Sequence, residues 1–364
     1  MTLRDDILHR FRGAAAGSPL YLPNLTLWYD WHAQRGTLPA GWQGLSLAEI
    51  ARRLGVPAWL TVRPFRVDPG NVEIVKTESA GERIVRYCAP SGTLIERWTL
   101  GPDGDWWETE YPVKTQDDLR IAEEILKIRT YVLEPDKLER LRESVSEDGL
   151  VALELPRRPF SQIFLEWLGW GDGLMLFFDS QDLVEEIVTL LEDRLQALVE
   201  HVALLPGDLV VSPDNLDAQF ISPAFFKRYL AASYRRSADL LHAGPEPKSL
   251  VAGTGGPIRR LLAPLAAAGI SGLEGISGPP QSDATLAEAR QLAGSAFTLW
   301  GGIPQDALLA DFDYSQFEEI VVQAAREAAL DNRSILGIAD RVPVNADLGR
   351  LQAIPTLVAA ALTT

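Results

Sequence analysis

Cysteine is what this chain most lacks: its 364 residues hold one, Cys88. No disulfide can form within the chain, and no metal site can be built from several thiolates. Long apolar runs are missing too. None approaches the roughly 18–20 residues that a membrane-spanning helix needs, and the opening MTLRDDILHRFRG has no apolar signal-peptide region. The expected location is cytoplasmic, away from membranes. Positive charge is the third shortage. With 34 basic against 50 acidic residues the formal net charge is −16, which repels polyanions at long range and argues against nucleic acid as a partner. The pairs Arg52-Arg53, Arg157-Arg158, Arg235-Arg236 and Arg259-Arg260 read mostly as solvated helix faces. Core material is abundant, since 46% of the residues are hydrophobic, enough for a large globular interior.

Between residues 208 and 340 one phrase recurs: a short apolar strand, a polar or Gly/Pro stretch, then an amphipathic helix. Strands are expected over 209–211, 249–252, 272–274, 297–300 and 335–338, ending at Asp214-Asn215, Gly253-Thr254-Gly255, Glu274-Gly275, Gly301-Gly302 and Asp340. Such α/β alternation predicts a parallel sheet closed into a TIM (β/α)8 barrel. Upstream, residues 20–27, 57–62 and 150–155 supply further strands, residues 1–17 a polar helix running into an Ala/Gly segment, 160–169 a helix, and 180–204 a long amphipathic helix. The period changes between them. Residues 71–77, 82–87 and 93–100 alternate apolar with polar around Ser79-Ala80-Gly81 and Pro90-Ser91-Gly92 turns, the mark of an antiparallel β-meander. The expected organisation is one domain, 1–364, with this insertion at about 70–110 as a cap over one barrel mouth.

The stretch 214–223 (DNLDAQFISP) sets an Asp-rich turn between a strand and an Ile-Ser-Pro helix start. Downstream come His242-Ala243-Gly244, Gly269-Ile270-Ser271-Gly272-Leu273-Glu274, Pro279-Pro280 with Asp283, LAEAR over 286–290, and Gly301-Gly302-Ile303-Pro304; upstream lies Ala89-Pro90-Ser91-Gly92-Thr93-Leu94. In order and spacing these resemble the uroporphyrinogen decarboxylase superfamily, in its decarboxylase-like and corrinoid methyltransferase-like branch, over residues 85–340. The resemblance implies a TIM barrel by a separate route. It leaves the reaction open, because that superfamily is similar in fold across porphyrinogen decarboxylases and methyltransferases that serve corrinoid proteins.

Two departures narrow the choice. The zinc-dependent thiol methyltransferases of this group hold their metal with a His-x-Cys pair after the fifth strand, and the positions that correspond here are Leu250 and Ala252, neither a metal ligand. True porphyrinogen decarboxylases carry an arginine-rich N-terminal segment for an octa-acid substrate. This chain has LYLPNLTLWYDWHAQRG there, with Arg35 its only arginine, although Arg63 and Arg66 follow.

Barrel chemistry gathers at the C-terminal ends of strands, so the carboxylates there are the first catalytic candidates: Asp214 and Glu274. Asp214 either acts as acid or base, or caps the turn that follows it. Glu274 among apolar walls would have its charged form disfavoured and so serve as a general acid; the competing reading is a rim salt bridge. Candidate substrate contacts are Asn215, Asp283, Asp340, Arg341 and the aromatic cluster of Trp28, Tyr29 and His32. Each has a structural alternative: an N-cap for Asp283, an ion pair for Asp340 with Arg341, a packed loop for the aromatics. If it is not paired, Arg341 can clamp an anionic group.

Three functions stay open: a corrinoid-dependent methyltransferase that demethylates a small substrate without a zinc-thiolate site, a carboxy-lyase acting on a smaller acid than uroporphyrinogen, and a ligand-binding barrel without catalysis. No metal and no directly bound cofactor are expected. The expected partners are a small-molecule substrate, a protein carrying a corrinoid, and a second copy of the chain in a homodimer.

Overall fold

The computed structural model describes residues 2–13, 19–101, 106–145 and 148–363. It divides into two compact units, one of Met1–Arg63, Asp136–Leu155 and Val202–Thr364, the other of Pro64–Pro135 and Pro156–His201.

Eight strands of the first unit share one sheet: β1 (Leu20–Tyr21), β2 (Ala58–Val62), β3 (Gly149–Glu154), β4 (Leu209–Leu216), β5 (Ser249–Thr254), β6 (Gly272–Ile276), β7 (Thr298–Pro304) and β8 (Ser334–Ala339). Every ladder between them is parallel, and the order is β1-β8-β7-β6-β5-β4-β3-β2. That is chain order read round a ring, with the consecutive strands β1 and β2 at the two ends, as in a TIM barrel. Trp59 of β2 and Trp300 of β7 meet edge-on with ring centroids 4.7 Å apart. In a flat sheet, strands five steps apart would stand about 24 Å from each other, so the sheet curls until its far strands face one another.

One end of this interior is stoppered by the helix Leu3–Phe11, which starts on a Thr2/Asp5 capping box. Its Ile7, Leu8 and Phe11 join Trp59, Val211 and Trp300 in a single buried cluster. Residue 272 of β6 is glycine because a Cβ there would overlap the Phe11 ring. Beside it the buried Arg10 donates through Nη1 to the Ser334 carbonyl at 2.9 Å. With that end filled, the C-terminal end is left for chemistry.

The structure departs from expectation in places. The strand expected over 20–27 is only two residues long; Pro23 offers no N–H to a ladder, and the chain turns into the helix Thr26–Arg35. Trp28, Tyr29, Trp31 and His32 therefore ride on a helix and not on a loop. The N-terminal helix is Leu3–Phe11, and the Ala/Gly segment expected after it falls largely on 14–18, outside the described residues. Arg158 is fully buried ahead of the helix Pro159–Ile163, so that arginine pair is not a solvated helix face.

The second unit carries the antiparallel sheet. Its strands Glu73–Ser79, Glu82–Ala89, Gly92–Leu100 and Trp106–Glu110 lie in sequential order. The fourth strand was not anticipated, nor was the separate antiparallel pair Phe65–Asp68 with Thr130–Leu133; both are short and lack a clear period-2 pattern. Residues 160–169 begin as an α-helix and become a π-turn over Phe164–Leu168, ended by Gly169 at φ 69°. The long helix is Gln181–Leu204. Among the described residues no helix is long and apolar enough to cross a membrane.

The stopper makes a measurable claim. Gly272→Ala should cost about 1–3 kcal/mol of stability, as overpacking does, and should cost clearly less in a Phe11→Ala background. Urea denaturation of the two singles and the double measures the coupling, and an additive pair would contradict the packing described here.

Candidate active site

Glu274 sits two residues beyond Gly272 on β6, so its side chain emerges on the same interior face, one step nearer the open mouth. Its partner across the β6–β7 ladder is Trp300, whose Nε1 donates to the Leu22 carbonyl at 2.9 Å. The residue is only 8% exposed. Its Oε1 accepts from Asn24 Nδ2 at 3.0 Å. The Asn24 Oδ1 in turn accepts from Thr26 N at 3.3 Å and from Thr26 Oγ1 at 2.6 Å. A backbone N–H only donates, so the Asn24 amide has one orientation, with its NH2 toward Glu274. The other Glu274 oxygen accepts no hydrogen bond from the described residues.

Burial raises the Glu274 pKa to about 8. The Asn24 hydrogen bond pulls against that, Asp340 and Glu154 add to it by like charge, and Arg341 opposes it. The group is therefore a neutral acid at pH 7, with a proton to give.

Around it, Glu154 at the end of β3 accepts from Arg63 Nε at 2.7 Å. After β8, Asp340 and Arg341 form a loose pair at 3.8 Å. The segment that carries them is tied down at two points. Val342 N donates to the Asn24 carbonyl at 3.0 Å, and the Val344 carbonyl meets His32 Nε2 at 2.9 Å. A carbonyl only accepts, which places a proton on Nε2 and lets His32 Nδ1, 2.7 Å from Thr37 Oγ1, accept from that hydroxyl.

Of the residues singled out by sequence, Glu274, Asp340 and Arg341 are brought together, with His32 bracing their loop. Asp214 is not part of this group. It is fully buried and accepts from Ser212 Oγ at 2.7 Å and from the Tyr234 hydroxyl, which belongs to the helix Ala231–Ala243; those bonds tie a strand to the helix layer. Asn215, at φ 50°, lies against Gly255, where any Cβ would collide with its amide. Asp283 accepts through Oδ1 from Ile258 N at 2.7 Å and Arg259 N at 2.9 Å, so it caps a turn across the β5 loop; its own helix, Leu286–Ala293, is capped by Thr285. Trp28 is buried, its ring 4.7 Å from His32 and 6.1 Å from Trp42, and Tyr29 donates its hydroxyl to the Leu45 carbonyl at 3.0 Å.

Sequence reasoning missed Asn24, Thr26 and Glu154. Glu154 was within reach, because it ends its strand just as Glu274 ends the expected stretch of β6. Asn24 was hidden by the over-long first strand, which made it an interior strand residue.

No protein-family model matches the chain, and no curated protein matches it. Solved structures do. A methyltransferase from Methanosarcina mazei matches over 99% of this chain and 99% of its own, with a TM-score of 0.60 at 14% identity. Endo-glycoceramidase II from Rhodococcus sp. matches over 61% of this chain and 65% of its own, at 0.37 and 13%. A Bacteroides ovatus GH5 xyloglucanase matches over 83% and 97%, at 0.38 and 10%. The first likeness runs end to end and shows a shared fold.

As for metal, Val251 belongs to the barrel's buried cluster, so Leu250 and Ala252, which flank it on β5, alternate to the opposite face. Both are buried hydrocarbon and fit no zinc ion. Among the described residues no group of three or more His, Cys, Asp and Glu is placed to hold a metal ion.

The raised Glu274 pKa has a signed consequence. In the unfolded chain its carboxyl ionises near 4.5; in the folded chain it keeps its proton to about pH 8. Between those values the folded state binds the extra proton, so this group's contribution to stability is full below pH 4.5 and is lost as pH rises toward 8. The limiting slope is about 1.4 kcal/mol per pH unit. Denaturant melts of wild type and Glu274→Gln should therefore diverge across that window, the variant gaining relative to wild type up to pH 8 and holding its gain above it. Parallel curves would mean that Glu274 titrates normally.

Proposed function

We propose that this chain is a methyltransferase that removes a methyl group from an oxygen of a small substrate, with Glu274 as the general acid. The observation that carries the reading is the neutral, oriented Glu274 carboxyl at the C-terminal mouth, one oxygen held by Asn24 and the other open. The end-to-end fold likeness to a methyltransferase supports it.

An ether oxygen leaves poorly as an anion, and a positioned acid removes that obstacle. As the C–O bond breaks, its electron pair stays on oxygen and Glu274 supplies the proton there. Asn24 then donates to the carboxylate that remains, and solvent returns the proton. A reduced corrinoid carried by a partner protein would accept the methyl group and supply the electron pair of the new bond.

The test is incubation with methyl ethers and reduced cobalamin, scored by the demethylated alcohol. Wild-type kcat/KM should fall about tenfold per pH unit above the Glu274 pKa, which lies at about 8. Glu274→Gln, which keeps the shape without the proton, should lose about 10²–10⁴-fold in kcat. Release of CO2 from a small acid in place of demethylation would make the chain a carboxy-lyase using the same proton. Turnover unchanged in the glutamine variant would remove Glu274 from the chemistry.

A further inference from the structure

Among the arginines that follow barrel strands, Arg63, Arg341 and Arg350 differ in how their guanidinium groups are occupied. Arg63 is committed through Nε to Glu154 at 2.7 Å. Arg350 is buried, and its fork donates to the carbonyls of Ala307 and Phe312. Arg341 is different: its side chain makes no hydrogen bond to any described residue, and its Nε, in a loose ion pair 3.8 Å from Asp340 Oδ2, is too far for a hydrogen bond.

The backbone beneath Arg341 is nonetheless fixed. The next residue, Val342, is bonded to Asn24, the residue that holds Glu274, and Val344 is bonded to His32. A long cationic side chain with an unused planar fork, 49% exposed, therefore stands on a braced base one residue from a contact to the acid's own support. Its charge is felt at Glu274. A guanidinium fork matches a carboxylate with two parallel hydrogen bonds, and bracing its backbone lowers the ordering cost of using it. A neutral Glu274 also leaves room for an anion, since an ionised carboxylate at that position would repel one.

We propose that the substrate carries a carboxylate and that Arg341 binds it, so that the methylated oxygen of the same molecule is presented to Glu274. The substrate class is then a methoxy acid. This rests on the methyl-transfer reading for the role of the oxygen, but the carboxylate contact itself does not depend on turnover.

The experiment measures binding directly, by calorimetry on the full chain, with 4-methoxybenzoate and 4-methoxybenzyl alcohol as probes. They share a skeleton and differ in one charge. Wild type should bind the benzoate at least tenfold more tightly than the alcohol. Arg341→Gln should abolish that preference while leaving affinity for the alcohol unchanged, and Arg341→Lys, which keeps the charge but loses the fork, should restore it only in part. Glu274→Gln should retain it, because the amide leaves the fork untouched. No preference in wild type, or a preference that survives Arg341→Gln, would overturn the proposal. A preference that depends on Arg341 in a protein that demethylates nothing would sustain the carboxylate contact and sink the methyl-transfer reading.

Discussion

A carboxyl group is cheap to ionise only where water surrounds it, and the barrel leaves Glu274 only 8% exposed. Phe11 from the N-terminal helix, Gly272 with its missing Cβ, and the Trp59–Trp300 contact fill the interior up to the level of that carboxyl. Below Glu274 there is hydrocarbon, and the side chain reaches only the mouth above it. The cost of placing a charge there exceeds what one amide hydrogen bond returns. The packed floor is thus the cause of the raised Glu274 pKa, and the aromatic residues that close the barrel act on that carboxyl by burying it.

Glu274 and Asp214 are buried alike and held differently. Both are enclosed carboxylates near strand ends. Asp214 is met by hydroxyl donors from Ser212 and Tyr234, and its bonds fasten a strand to a helix. Glu274 is met by a single NH2 whose direction is fixed by Thr26, and one of its oxygens remains without a partner among the described residues. A carboxyl used for structure consumes its lone pairs on the protein, whereas one used for proton transfer must keep a position open.

Much of this was legible in sequence. The five strand-and-helix phrases after residue 208 correspond to β4 through β8, because each has an apolar core flanked by glycine or acid, and the Ser79–Gly81 and Pro90–Gly92 turns marked the antiparallel sheet by their change of period. Glu274 stood out as the acid at the end of its stretch. What stayed hidden depended on partners far apart in the chain. Asn24 meets Glu274 across 250 residues, and no local pattern reports such a pairing. Tyr234 meets Asp214 from another element, and Asp283 caps a turn 24–25 residues before it. The helix that carries Trp28 and His32 was obscured by Pro23, which punctuates a strand and precedes a helix equally well.

Everything at this mouth turns on Glu274 being a neutral acid in the folded protein at neutral pH. Infrared difference spectroscopy of wild type minus Glu274→Gln reads this directly, because a protonated carboxyl has a carbonyl stretch well separated from the carboxylate bands. A protonated-carboxyl band should be present at pH 7 and disappear as the pH is raised through about 8. A difference spectrum showing only carboxylate at pH 6 would contradict it.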